Sequence, residues 1–504
     1  MKQMNGKGSE RLVNKNISTN APAKASKNTL YYIHCIIGLL FMFGFGALKP
    51  IEPITAMGMQ VLGVFIGVIY LWSFVTILWP SLLGMIALGL TQYASMKEVL
   101  MGAFGDTVPI LVLFAMILFG AIQHAGVTKY ISRWFLTRKI INGRPVVFSF
   151  IFIYTAYVLA ALSANILPAL LLMWSILYDV LEDVGYKKGD KYTTIMVIGT
   201  MFGAISGQAA KPFTGSALMI VGSFEKVTKM HLDYLPYMLF GVIMSTLGIM
   251  IYSLLIKFVF KPDMSRIANI STERFEKNKL PLMTLQQKIL FTCMFGYLIL
   301  ILLPSILPKT LGFVALLNKI GPWGIVMAFI VGLCLFKVDN KPIIDFKEII
   351  GRYVTWDVYF LVAMAMVISG ALTGEGTGIK EFATHALNPL LGDRSPMVFT
   401  AILLVFSMFI TNIANNGVMG VLLMPIIFTF ATKNGANPMA VSTAVIFALH
   451  IALLTPAASP YAAILIGNKE WIDSRDVVRY GSVIVAVSFV LFLLVGMPLA
   501  NLIF

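Results

Sequence analysis

161-ALSANILPALLLMW-174 and 412-NIANNGVMGVLLMP-425 each set an asparagine inside a long apolar segment and follow it with an apolar helix-forming run. Asn165 and Asn416 correspond, 251 positions apart. The surrounding segments, 145–179 and 396–431, are too long for one membrane crossing, and each carries polar residues and a proline in its middle. Polar backbone at membrane depth is tolerated only where protein buries it or where it lines a cavity. Each segment therefore reads as a re-entrant hairpin that enters and leaves on one side.

A second pair of stretches repeats the pattern. In 209-AAKPFTGSALMIVG-222 and 454-LTPAASPYAAILIG-467, proline, glycine and hydroxyl residues interrupt an apolar span, which then resumes. Thr214 and Ser459 correspond, 245 apart. Each half of the chain thus holds several spans, one hairpin and one broken span, and an odd number of crossings between the halves inverts their topology. Inverted repeats with discontinuous helices place free backbone N–H and C=O groups near the bilayer midplane. Helix N-termini there offer partial positive charge to an anion, and unwound carbonyls suit a cation such as Na⁺. Glycine and proline also kink packed helices for purely structural reasons. Two matched pairs in both halves favour a binding site.

Composition fits this plan. The chain has 504 residues, 58% of them hydrophobic and 12% charged, against roughly 25% charged in soluble domains. A soluble enzyme is excluded, and the expected class is an all-α polytopic membrane protein. About 11 spans are expected: 30–48, 54–72, 74–91, 107–124, 192–222, 234–257, 287–304, 321–337, 354–372, 439–467 and 480–502. The chain divides into a basic cytoplasmic tail (1–29), a first span plus repeat 1 (30–260), a cytoplasmic linker (261–286) and repeat 2 (287–504). With the N-terminus inside, 28 Lys and Arg fall on the cytoplasmic side and nine outside, as cytoplasmic retention of positive loops requires. That count puts the C-terminus outside and needs both hairpins to be re-entrant. The net charge of +15 orients the chain in a cell membrane and calls for no nucleic acid. The tail lacks an early apolar core, which predicts a retained first span instead of a cleaved leader.

The 23 acids all fall in loops or at span ends. A carboxylate in mid-span is the usual element of a cation relay, so a Na⁺/H⁺ antiporter is disfavoured. A membrane-embedded enzyme would need a nucleophile–base or metal constellation within the spans, and none is present. Cys35, Cys293 and Cys334 have no metal-ligand spacing and read as packing residues.

These residues resemble the divalent-anion:sodium symporter (DASS) family of the ion-transporter superfamily. That family carries Ser-Asn-Thr at each hairpin tip with Pro eight or nine residues on. Asn415-Asn416-Gly417 with Pro425 takes that place in the second hairpin, and Ala164-Asn165-Ile166 takes it in the first, where Trp174 replaces the proline. Ala458-Ser459-Pro460 matches the broken-span motif, whereas Phe213-Thr214-Gly215 keeps only the hydroxyl. The resemblance implies a homodimer with an elevator-like moving part and no cofactor beyond a coupling Na⁺. It assigns substrate contacts to Asn165, Thr214, Asn415, Asn416, Gly417, Ser459 and Pro460, and cation contacts to Asn165, Thr411, Asn416 and Ala458. Ala164, Ile166 and Ala160 lack the side-chain oxygens expected around the first Na⁺, so that site is eroded.

Lys211 lies in the break of the fifth span. A charge at a helix centre costs at least ~2.5–3.5 kcal/mol and marks a functional site by default. The expectation is that its ammonium stands beside the eroded site, supplies the charge Na⁺ would bring, and holds the substrate. The blander reading is snorkelling or pairing with a carbonyl. His450, expected to face the second hairpin, could titrate but reads first as a packing residue. Gly374-Glu375-Gly376-Thr377-Gly378 lacks the lysine of a phosphate loop and reads as a flexible linker. Trp72, Trp79, Trp134 and Trp356 read as interface anchors. The expected function is secondary active transport of a small di- or multivalent anion, foremost a C4-type dicarboxylate, by Na⁺ symport or anion exchange. Sulfate or another oxyanion is the alternative.

Overall fold

The computed structural model describes residues 22–213, 215–269, 280–456 and 458–504. Thr214, residues 1–21 of the basic tail and residues 270–279 of the expected linker lie outside them. Both asparagine stretches fold as paired helices. Hairpin 1 consists of Pro145–Ala161 and Ile166–Asp183, and hairpin 2 of Pro396–Thr411 and Asn416–Lys433. A proline opens each leading arm, where its missing N–H costs nothing and its fixed φ suits a helix.

The two interrupted spans are likewise helix pairs. Broken helix 1 runs Lys191–Ala209 and then Gly215–Thr228; broken helix 2 runs Pro438–His450 and then Pro460–Gly467. Pro212 and Pro456 sit in the gaps, and a proline disfavours helical backbone in the residue before it. Gly215 restarts the first of these with φ +62°, a conformation that a Cβ would strain.

Among the described residues, eight helices are long and apolar enough to cross a bilayer, or ten if each sharply bent pair counts as one span. The expected span 74–91 contains only the 12-residue helix Leu78–Gly89, followed by Met96–Phe104, and at 1.5 Å per residue it is too short to cross. The expected 321–337 starts earlier, at Gly312, and kinks at Gly321 ahead of Pro322. The expected 354–372 belongs to a pair, Phe346–Tyr353 and Trp356–Leu372, bent by 76°.

Close backbone approach holds the hairpins to the broken helices. Gly203 and Gly207 lie one turn apart on one face of Lys191–Ala209. A Cβ on Gly203 would stand 2.4 Å from the Ile153 carbonyl oxygen, and one on Gly207 2.2 Å from that of Tyr157. Small residues at this spacing let membrane helices pack backbone to backbone. Trp174, where the family has proline, donates its indole N–H to the Val197 carbonyl at 3.1 Å. Each hairpin also reaches the opposite repeat. Gly417 and Gly420 of hairpin 2 fit against Met219 and Ile220, and Tyr178 of hairpin 1 stacks on Trp471 with ring centroids 4.0 Å apart.

Two corrections concern the surrounding helices. The 374–378 stretch is pinned: Thr55 donates its hydroxyl to the Gly376 carbonyl at 2.7 Å and its N–H to that of Thr377 at 3.0 Å. A glycine-rich stretch is fixed here because its bare backbone lets the 52–58 segment approach. Trp72 is buried, its indole bonded to the Ser81 hydroxyl at 2.9 Å, so it packs inside the protein and is no surface anchor. Contacts from the core to these helices include Ser223 Oγ to Ser369 Oγ at 2.8 Å and the Lys226–Asp106 ion pair at 3.2 Å.

Candidate functional site

The hairpin tips and helix breaks of both repeats line one cavity of about 90 Å³. Asn165, Lys211, Asn415, Asn416, Ser459 and Pro460 all contribute to its wall. Gly417, Thr411 and Ala458 do not line it, and Thr214 is outside the described residues. A larger cavity of about 300 Å³ sits by His231, Lys309 and Trp323. It contains no hairpin-tip residue and is a separate feature.

Four helices begin at the site: Ile166–Asp183, Gly215–Thr228, Asn416–Lys433 and Pro460–Gly467. Each N-terminus carries a partial positive charge of up to about half an elementary unit. The asparagines cap their own helices. Asn165 Oδ1 accepts from Leu167 N at 2.9 Å, Asn415 Oδ1 from Gly417 N at 3.1 Å, and Asn416 Oδ1 from Gly417 N at 2.8 Å. Because the amide oxygen faces the helix, the NH₂ of each is turned away from it and is left as a pure donor. Ser459 Oγ accepts from Ala462 N at 3.1 Å and donates to the Ala452 carbonyl.

Four other helices end nearby, and their C-terminal carbonyls would favour a cation. The chain places a donor of its own at each of the four ends. Lys211 Nζ donates to the Ala160 carbonyl at 3.2 Å and to that of Ser163, at the end of Pro145–Ala161. Tyr237 donates its hydroxyl to Ala209 O at 2.7 Å. Thr455 donates to Asn412 O at the end of hairpin 2's leading arm. Thr411 Oγ1 donates to Leu449 O at 2.5 Å, and Asn412 Nδ2 to Ile451 O at 3.1 Å. Lys211 is the one Lys, Arg, Asp or Glu among the buried described residues.

Two roles were not foreseen from the sequence. Asn412 clips hairpin 2 to broken helix 2, its Oδ1 also accepting from Leu453 N and Leu454 N at 3.1 and 2.8 Å. His450 bonds to the opposite broken helix, Nε2 to Ser216 Oγ at 2.9 Å, with Nδ1 on the Ile446 carbonyl at 2.7 Å. The expectation that it faces the second hairpin is thereby corrected. A polar residue at a helix end beside a break was the available signal, but nothing in a linear pattern specifies a partner 234 positions away.

Fold and site together define an all-helical polytopic membrane protein in which two hairpins and two broken helices meet at one polar cavity. The chain belongs to the citrate transporter (CitMHS) family, whose sequence model matches residues 68–445. It is 22% identical over 278 residues to a sodium-dependent dicarboxylate transporter of Staphylococcus saprophyticus, covering 53% of this chain and 51% of that one. It is 24% identical over 308 residues to a sodium-dependent high-affinity dicarboxylate transporter of Caenorhabditis elegans, covering 55% and 52%. The chain thus matches about half the length of these relatives. The fold is shared with the YdaH transporter of Alcanivorax borkumensis (TM-score 0.56, 13% identity, 94% and 98% covered). It is also shared with MtrF of Neisseria gonorrhoeae (TM-score 0.55, 13% identity, 93% and 94% covered).

Proposed function

We propose that this chain is a secondary transporter of small di- and tricarboxylates, foremost C4 dicarboxylates. The observation that carries the reading is the sorting of helix ends around the cavity. Four N-termini and three asparagine NH₂ groups are left for an anion, while each nearby C-terminus already has a donor of the chain on it. The hairpins and broken helices move as one body against the surrounding spans, within a homodimer, and carry the anion with them.

Sodium enters this reading at one hairpin only. At hairpin 1 the residues do not fit a cation, because Lys211 occupies the Ala160 and Ser163 carbonyls and Ala164 and Ile166 add no oxygen. At hairpin 2 the donor set is chemically suitable for a hard cation: the Thr411 hydroxyl, the Asn416 amide oxygen and the Ala458 carbonyl would hold Na⁺. Bound there, Na⁺ would add positive charge beside the carboxylate. When protonated, Lys211 would supply that charge on the other side. Labelled succinate uptake into proteoliposomes, with and without Na⁺ and with and without internal anion, tests the reading. Uptake driven by either a Na⁺ gradient or preload supports it, and failure of both removes it.

A further inference from the structure

His450 has two ring partners, and one of them settles the role of the other. The Ile446 carbonyl, 2.7 Å from Nδ1, can only accept, so the proton sits on Nδ1. The ring is buried among Phe202, Met244, Phe447 and Phe492, with Ser206, Ser245 and Ser488 as the polar neighbours and no carboxylate among the residues lining this space. An unpaired charge is not held in such a place, and the imidazole is neutral. Its Nε2 is then an acceptor, and the Ser216 hydroxyl at 2.9 Å must be the donor.

That bond fixes what Ser216 can offer the cavity it lines. Its only proton is committed to the ring, so its oxygen faces the substrate as an acceptor. The asparagine amides and helix N-termini around it are donors, suited to carboxylate oxygen. An acceptor among donors matches a ligand that carries an O–H as well as carboxylates. We infer that Ser216, held by His450, reads a hydroxyl on the transported anion and so favours hydroxy-di- and hydroxy-tricarboxylates over their unsubstituted counterparts. His450 is a positioning residue that acts through Ser216. This rests on the carboxylate reading above and deepens it.

The same O–H could come from an alcohol or from a protonated carboxyl group, and the two are separable. Equilibrium binding of malate, succinate and 2-methylsuccinate to the purified chain is measured at pH 7.5 and pH 5.5. A hydroxyl reader binds malate about three- to tenfold tighter than succinate at both values. It binds 2-methylsuccinate, which puts a methyl where malate has its hydroxyl, no better than succinate. Equal affinities for all three overturn the inference. So does a succinate affinity that climbs to that of malate at pH 5.5, which would assign the acceptor to a protonated carboxyl. In Ser216→Ala the ratio of malate to succinate affinity falls to about one; His450→Gln, whose amide can donate to Ser216, lowers it likewise. A malate advantage kept in Ser216→Ala overturns the inference. Binding of none of the three anions fails the carboxylate reading and this inference together, whereas equal binding fails only the inference.

Discussion

The Lys211 ammonium is bonded to the Ser163 carbonyl, so the break of one helix closes the end of the hairpin arm beside it. The equivalent closure in the other repeat, Thr455 on Asn412 O, is made by a neutral hydroxyl. The two halves share a backbone plan and differ by one formal charge at this point.

Replacing Lys211 by Gln removes that charge while keeping a donor. Charge-assisted hydrogen bonds contribute about 1.5–3 kcal/mol, so succinate uptake is expected to fall about 10- to 100-fold or to become dependent on Na⁺. Proteoliposome uptake with and without Na⁺ reads this directly. Unaltered, Na⁺-independent uptake would refute the role given to Lys211.

Asn165→Asp and Asn416→Asp exchange an NH₂ donor for a carboxylate oxygen and leave the helix cap in place. Both variants are expected to melt within a few degrees of the parent chain and to lose dicarboxylate binding by more than about tenfold, through repulsion and the lost donor. Binding measured alongside a thermal melt separates the two effects. Binding retained in both variants would show that the amides do not face the anion.

Gly207→Ala puts a methyl group into the backbone of the neighbouring arm, 2.2 Å from the Tyr157 carbonyl oxygen. Overpacking of this kind costs about 1–3 kcal/mol. A lower melting temperature in detergent is expected, whereas Gly332→Ala, with open space around it, should leave it unchanged. Equal melting of the two variants would be evidence against close packing at this seam.

His231 lies outside the spans, its Nδ1 2.7 Å from Glu225 Oε1. That hydrogen bond holds the imidazole above its ordinary value of 6.5. A group raised in the folded state contributes its full stability below the unfolded value and loses it as pH rises through the folded one. The parent chain should therefore out-melt His231→Gln at pH 6 and match it by pH 9. A gap that does not vary with pH would contradict this.

The sequence exposed the two hairpins, the two breaks, and Asn165, Asn415, Asn416 and Ser459, because a polar residue in a long apolar run has few structural explanations. It also singled out Lys211, for the same reason. What it left hidden are pairings across the repeats. Ser216 with His450 and Tyr178 with Trp471 join segments that no local periodicity relates, and Asn412 reaches a helix break about 40 positions further on. The eleven-span plan failed at 74–91, where apolar composition continues through a short helix and its turn. Trp72 was misjudged as an anchor because hydropathy does not reveal which face of a span is packed.

The clasp of Thr55 on Gly376 and Thr377 has a consequence for biogenesis. Its partners stand 321 and 322 positions apart. At about 5–20 residues per second of synthesis, the first spans wait roughly 15–65 s before residue 377 is made. Throughout that interval the Thr55 hydroxyl and N–H must be satisfied by water or lipid headgroups. The loop ahead of the second span thus settles only after most of the chain has been inserted, and the outer helices are completed late in synthesis.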